Sequence, residues 1–116
     1  EEALETLMRL GVQRVLTAGG APSAIEGIEA IRALAKRGAG HIAVMAGGGV
    51  REETVQEIAH RAGVTEIHVR GTRPARVPMT PFRAGIRLRK GLPDDEQVWE
   101  ETDERRIREF VRLANA

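Results

Sequence analysis

The sequence contains no cysteine. That excludes a disulfide framework, a zinc–thiolate site and a cysteine nucleophile. Tyrosine is also absent, and the only aromatics besides histidine are Phe82, Trp99 and Phe110. A core must therefore be built from Ile, Val, Leu and Ala, a composition that suits strands buried under helices. With so few rings there is no aromatic interleaving for base stacking, which argues against a nucleic-acid partner. No apolar run approaches the roughly 20 residues of a membrane span. Neither sign of charge dominates: 18 Lys and Arg face 17 Asp and Glu, for a net charge of +1. Nothing then drives the chain globally towards nucleic acid or anionic lipid. These absences fit a cytoplasmic protein. The sequence opens at Glu1 inside a helical pattern with no capping residue, which predicts a missing N-terminal part.

What remains is enough for one domain: 116 residues, 41% hydrophobic and 30% charged. Glu1 to Leu10 carries Ala3, Leu4, Leu7 and Met8 at helical spacing and stops at Gly11. Val12 to Ala18 predicts a strand, closed by the turn Gly19-Gly20-Ala21-Pro22. Ser23 and Glu26 form a capping box, which predicts a helix from there to Gly38 that buries Ile25, Ile28, Ile31 and Leu34. Ile42 to Ala46 is the second strand. Gly47, Gly48 and Gly49 follow it, then a helix from about Glu52 to Gly63 with Val55, Ile58, Ala59 and Ala62 inward. Glu66 to Arg70 is the third strand, ending at Gly71 and Thr72. Residues 73–101, rich in Pro and Gly, predict an irregular excursion. Thr102 and Asp103 cap a last helix with Ile107, Phe110, Val111 and Ala114 on one face.

Strands alternating with helices predict parallel pairing. A weak repeat, in which each strand entry is followed by a strand ending at glycine, has the rhythm of a (β/α)8 TIM-type barrel. A whole barrel takes about 250 residues, so this chain covers about three βα units of one. A lone three-stranded sheet leaves open edges. The expectation is that it pairs with an N-terminal half-barrel or with copies of itself as a homo-oligomer. The other architecture the pattern allows is a small three-layer α/β domain with an edge strand in residues 84–90.

Five motifs occur in order: Ala3-Leu4-Glu5-Thr6-Leu7, Arg14-Val15-Leu16-Thr17-Ala18-Gly19-Gly20, Met45-Ala46-Gly47-Gly48-Gly49-Val50, Glu66-Ile67-His68 and Met79-Thr80-Pro81-Phe82-Arg83. In this the chain resembles the C-terminal half of the CutC family, the copper homeostasis proteins. The resemblance implies a TIM barrel, of which this chain holds about the last three strands, in a cytoplasmic and commonly oligomeric protein. It also implies copper as the cofactor. The family usually has Ser where Ala18 stands and Pro where Ala46 stands, and Val69-Arg70-Gly71-Thr72 replaces a small or Ser-containing segment. The cysteines proposed as copper ligands in some members have no counterpart here.

Strand alternation places Ile42, Val44, Ile67 and Val69 towards the helices. It places Val15, Thr17, Ala43, Met45, Glu66 and His68 towards a barrel interior. Residues at strand C-terminal ends fall on the active face of such a barrel. Gly47, Gly48 and Gly49 with Gly71 and Thr72 look like a phosphate site, or only a tight turn. Thr17, Gly19 and Gly20 end the first strand at the same face. Arg70 and Arg73 could hold a phosphate or carboxylate. They belong to a basic run reaching Lys90, which either rims a pocket or is offset by the acidic segment after it. His68 is the candidate proton carrier or metal ligand, or an interior histidine satisfied by Thr17 or Glu66. Glu66 reads as part of a deeper, structural polar layer. Met45 and His68, with Met79 as a further donor, are the candidate Cu(I) ligands, since thioether and imidazole suit that ion. Met45 as core filler is the plainer reading. His41 and His60 read as surface residues. Three functions stand at this point: a copper homeostasis protein with a small-anion pocket, a barrel enzyme acting on a phosphorylated or carboxylated metabolite, or a partial barrel with no complete site.

Overall fold

The computed structural model describes residues 1–76 and 98–116. Their element order is α1 (Glu2–Arg9), β1 (Arg14–Thr17), α2 (Ile28–Gly38), β2 (Ala43–Ala46), α3 (Glu52–Arg61), β3 (Glu66–Ile67), β4 (Thr72–Arg76), β5 (Val98–Thr102) and α4 (Glu104–Ala114). The first three strands form a parallel sheet in the order β1-β2-β3. The expected alternation of strands with helices, and the parallel pairing it implies, are therefore observed. An edge strand in residues 84–90 lies outside the described residues, as do Met79 and the basic run from Arg83 to Lys90.

One face of the sheet carries the core. Ile28 and Ile31 of α2, Val55 and Ile58 of α3, Ile42, Val44, Ala46 and Phe110 of α4 are all buried. Each fully buried aliphatic side chain of this kind contributes about 1.5–3 kcal/mol. The helices dock because their apolar residues recur every three or four positions, which gathers them on one stripe. On α3 these are Val55, Ile58 and Ala62, with Ala59 beside them. On α4 the stripe is narrower than the sequence predicts: Phe110 is buried, but Val111 is 58% exposed.

The register corrects the assignment of faces on β1. Val15 pairs with Val44 and Thr17 with Ala46, while Leu16 pairs with Met45. Paired residues in a sheet share a face, so Val15 and Thr17 point to the helices and not to the interior side. Arg14 and Leu16 take the open face with Ala43, Met45, Glu66 and His68. Apolar residues at 12, 15 and 16 do not alternate, so the sequence of this strand could not choose between its faces. Glu66 is correspondingly no deep polar residue. Its carboxylate accepts two hydrogen bonds from Arg14, at 2.5 and 2.6 Å, across the open face of β2.

Two further corrections concern boundaries. Ser23 and Glu26 do make their contacts, with Ser23 Oγ donating to Glu26 Oε2 at 2.8 Å and accepting from Glu26 N at 3.4 Å. They close a turn, however, and α2 begins only at Ile28. The excursion predicted irregular over 73–101 is regular at both ends. Thr72–Arg76 and Val98–Thr102 pair antiparallel, with Thr72 opposite Thr102 and Arg76 opposite Val98. Asp103 then caps α4 as expected, its carboxylate accepting from the backbone N–H groups of Arg105 and Arg106.

Candidate functional site

The C-terminal ends of β2 and β3 open into a groove of about 910 Å³. Its lining includes Ser23, Gly48, Gly49 and Arg51 from the β1–α2 and β2–α3 turns, and His68, Arg70, Thr72, Glu100 and Arg106. Position 48 requires glycine, and position 49 favours it. Gly48 has φ +110° and Gly49 φ +59°, which turn the chain sharply from β2 into α3. The turn is pinned from two directions. Gly47 N donates to Thr17 O at 3.0 Å, and Ala24 N donates to Gly48 O at 2.8 Å. The second bond carries Ser23 to the groove, a placement that the capping-box reading alone did not predict.

The start of α3 borders the groove through Arg51. Arg51 is extended, and its N–H donates to Thr54 Oγ1 at 3.0 Å. Glu52 follows and is gripped by Arg106 of α4 through two parallel bonds of 3.1 and 2.9 Å. Arg106 also donates to Thr72 O and lies 5.7 Å from the centroid of the Phe110 ring. One guanidinium thus ties together α3, β4 and α4.

The hydrogen bonds from Arg106 hold the Glu52 carboxyl below its ordinary value of 4.5; its own backbone N–H adds to this, and partial burial opposes it. A depressed folded value means that the pair stabilises the fold above about pH 4.5 and that this contribution is lost as pH falls through the folded value. Glu52→Gln is therefore expected to flatten part of the acid limb of a urea-midpoint-versus-pH curve. Superimposable acid limbs for variant and wild type would show that the pair does not contribute. Glu66, lowered by Arg14, and Glu109, lowered by Arg112, keep the remainder of that limb in both proteins.

Only some of the residues predicted from the sequence meet here. Gly48, Gly49, His68, Arg70 and Thr72 line the groove. Gly47 lies just outside it on the open face, where a Cβ would stand 2.4 Å from Leu16 Cδ1 and 3.1 Å from His68 Cβ. Thr17, Gly19 and Gly20 do not join the groove. They line a separate cleft of about 420 Å³ on the helix side, with Leu4, Leu7 and Leu34. The physical reason is the β1 register, which turns Thr17 towards α2, where its hydroxyl accepts from Gly19 N at 3.0 Å. Gly71 is buried against Ile107 and Phe110, and its carbonyl accepts from Asp103 N at 2.9 Å. It therefore packs α4. Arg73 points along the hairpin to Glu101, directly opposite in the ladder, at 2.9 Å. Arg70 pairs with Glu100. At these positions the basic run is offset by the acidic segment, one of the two readings left open by the sequence.

His68 is exposed and, among the described residues, its ring makes no hydrogen bond. The reading in which Thr17 or Glu66 satisfies it does not hold, because Thr17 faces away and Glu66 is taken by Arg14. His41 and His60 are exposed as expected, and His60 Nε2 lies 2.8 Å from Ala116 O. Met45 shares the open face with His68 but stands opposite Glu66, so the two donors are diagonal neighbours and not facing ones. No group of three His, Asp or Glu side chains gathers among the described residues. The described donor set does not compose a copper site, and Met79 lies outside it. No helix among the described residues is long and apolar enough to cross a membrane.

Arg51, Glu100 and Arg106 were not singled out in the sequence. Arg106 meets Glu52 across 54 positions, a separation that carries no local signal.

A profile of the CutC family matches residues 1–73. The chain belongs to the CutC family. It is 36% identical over 113 residues to the copper homeostasis protein cutC homolog of Mus musculus, covering 97% of this chain and 41% of that protein. It is 47% identical over 77 residues to a family protein CutC of Vibrio campbellii, covering 65% of this chain and 31% of that protein. The chain thus spans well under half the length of these CutC relatives. A crystal structure of CutC from Streptococcus agalactiae superposes with a TM-score of 0.52 at 35% identity, over 58% of this chain and 33% of that one. The shared part is an α/β arrangement of helices and parallel strands.

Proposed function

We propose that this CutC chain supplies part of the C-terminal face of a (β/α)8 barrel, and that the groove over Gly48 and Gly49 binds a small anion such as a phosphate or carboxylate group. Its place in copper homeostasis is the proposal that the relatives' names bring. The observation that carries the anion reading is convergence. Positive-φ glycines, Ser23, His68 and Arg70 line one groove at the strand ends. The α3 start behind them favours negative charge. An enzyme of the same fold would use the same groove, with His68 as proton carrier, and the exposed His68 ring favours that second reading. Turnover lost in His68→Asn with anion affinity intact would separate it from simple binding. The exposed Leu16 and the edge position of β1 among the described residues fit a sheet continued by further strands, from a longer barrel or from a second copy. Solution mass by light scattering separates those two.

The test is inorganic phosphate binding by equilibrium dialysis to wild type and Gly49→Asp. Aspartate tolerates the left-handed φ of +59°, and its Cβ would meet Ser23 Cβ at an ordinary 3.4 Å. The fold persists while a negative charge enters the groove. Two like charges about 4 Å apart repel by about 4 kcal/mol near a protein surface, so affinity is expected to fall by well over tenfold. Equal binding by both proteins, with matching circular dichroism, would remove the groove as the site.

A further inference from the structure

Three arginines reach the groove, and each is held by a glutamate of the same chain. Arg51 lies 3.8 Å from Glu53, Arg106 is gripped by Glu52, and Arg70 is paired with Glu100. The three differ in what a ligand could take from them. Arg106 is engaged by Glu52 twice, by Thr72 O and by the Phe110 ring, so it is a strut and is not exchangeable. Arg51 and Glu53 are neighbours on the same helix start, so breaking their contact moves nothing else. Arg70 is different. It stands after β3 on the parallel sheet, whereas Glu100 belongs to β5 of the separate antiparallel ribbon. Their side chains are 68% and 41% exposed. An ion pair that exposed is weak and exchanges readily for another anion.

We propose that Arg70 is the exchangeable cation that links the groove to the β4–β5 ribbon and that Glu100 is its built-in competitor. An incoming phosphate or carboxylate takes Arg70 and releases Glu100, so occupancy of the groove is coupled to the docking of the β4–β5 ribbon. The coupling is reciprocal: whatever draws the ribbon away raises anion affinity, and whatever holds it down lowers it. This rests on the anion reading above and names a regulation of that same site. It also accounts for an otherwise idle arrangement. Arg73–Glu101 holds the two ribbon strands to each other, and Arg70–Glu100 is the contact by which an acid of the ribbon reaches into the groove.

The chain carries its own reporter. Trp99 is the sole tryptophan, adjoins Glu100 and is 46% exposed. Inorganic phosphate is titrated at constant ionic strength into the 116-residue chain, with Trp99 fluorescence and equilibrium dialysis read in parallel. In wild type the fluorescence is expected to change and saturate with the dialysis curve. Glu100→Gln removes the competitor, so affinity should rise roughly two- to fivefold, the range set by a weak exposed pair. In the same variant the fluorescence change should shrink. Arg70→Gln should lose both binding and signal. Phosphate binding that is sensitive to Gly49→Asp, yet silent in Trp99 fluorescence and unaltered by Glu100→Gln, would overturn this inference alone. No phosphate bound by any of the proteins would overturn the groove reading, and this inference with it.

Discussion

Ile58→Ala is expected to lower the unfolding free energy by about 2–5 kcal/mol. Ile58 has no exposed surface and is among the largest fully buried side chains of the described core. Truncation removes three carbons from contact and leaves a cavity that helix and sheet cannot fill without moving. Small domains have a total stability of about 5–15 kcal/mol, so this single change removes a large share of it. The effect reaches the groove, because α3 carries Arg51 and Glu52 at its first turn and Ile58 is what seats that helix. Urea unfolding followed by circular dichroism measures it, with Leu10→Ala as a control. Leu10 is 73% exposed, and its truncation should change the unfolding free energy by under about 0.5 kcal/mol. A loss below about 1 kcal/mol for Ile58→Ala would mean that α3 is not docked as described.

Gly27→Ala should cost at least about 3 kcal/mol, at or beyond the upper end of ordinary overpacking. The reason is not backbone conformation, since φ at Gly27 is −94° and any residue adopts it. It is space. A Cβ there would stand 1.9 Å from Ala18 O and 2.9 Å from Ala18 C. Those are backbone atoms just past β1, and no side chain can rotate away to relieve the contact. Ala18 cannot retreat without disturbing the adjacent Thr17, whose carbonyl accepts from Gly47 N at 3.0 Å. The turn from Ser23 to Gly27 would lift, and Ser23 would leave the groove with it. Gly20→Ala is the informative comparison. Gly20 has φ +78° but nothing within 4 Å of its Cβ, so its cost is the left-handed penalty of about 1–2 kcal/mol. Thermal unfolding of the two variants should rank Gly27→Ala as the more damaged. The opposite order would show that the turn does not sit under the end of β1.

The two glycines show how unevenly the sequence reports its own structure. Gly20 in Gly19-Gly20-Ala21-Pro22 announces a turn to any reader of the sequence. Gly27 sits inside what the Ser23–Glu26 capping pattern presents as a helix, and nothing nearby reveals that a distant carbonyl needs its hydrogen. The capping contact itself was legible and is made, yet the helix it should open starts at Ile28. Among candidate site residues, Gly48 and Gly49 were legible because a strand followed by glycines and an acidic helix start is a local pattern. Thr17, Gly19 and Gly20 were misplaced because their position depends on which face of β1 meets the helices.

The amino-acid sequence by itself determined the βα alternation, the apolar stripes of α2 and α3, the glycine turn after β2, the Asp103 cap and the resemblance to CutC. All but the resemblance, which rests on five motifs spread along the chain, are local in origin, a matter of spacing within about one or two helical turns or of backbone freedom at one residue. Only the tertiary structure decided the face of β1, the ribbon formed by β4 and β5, and the pairing of Arg70, Arg73 and Arg106 with Glu100, Glu101 and Glu52. Those outcomes join residues 22 to 54 positions apart. Strand register and long-range charge geometry select them, and no local signal in the chain encodes either.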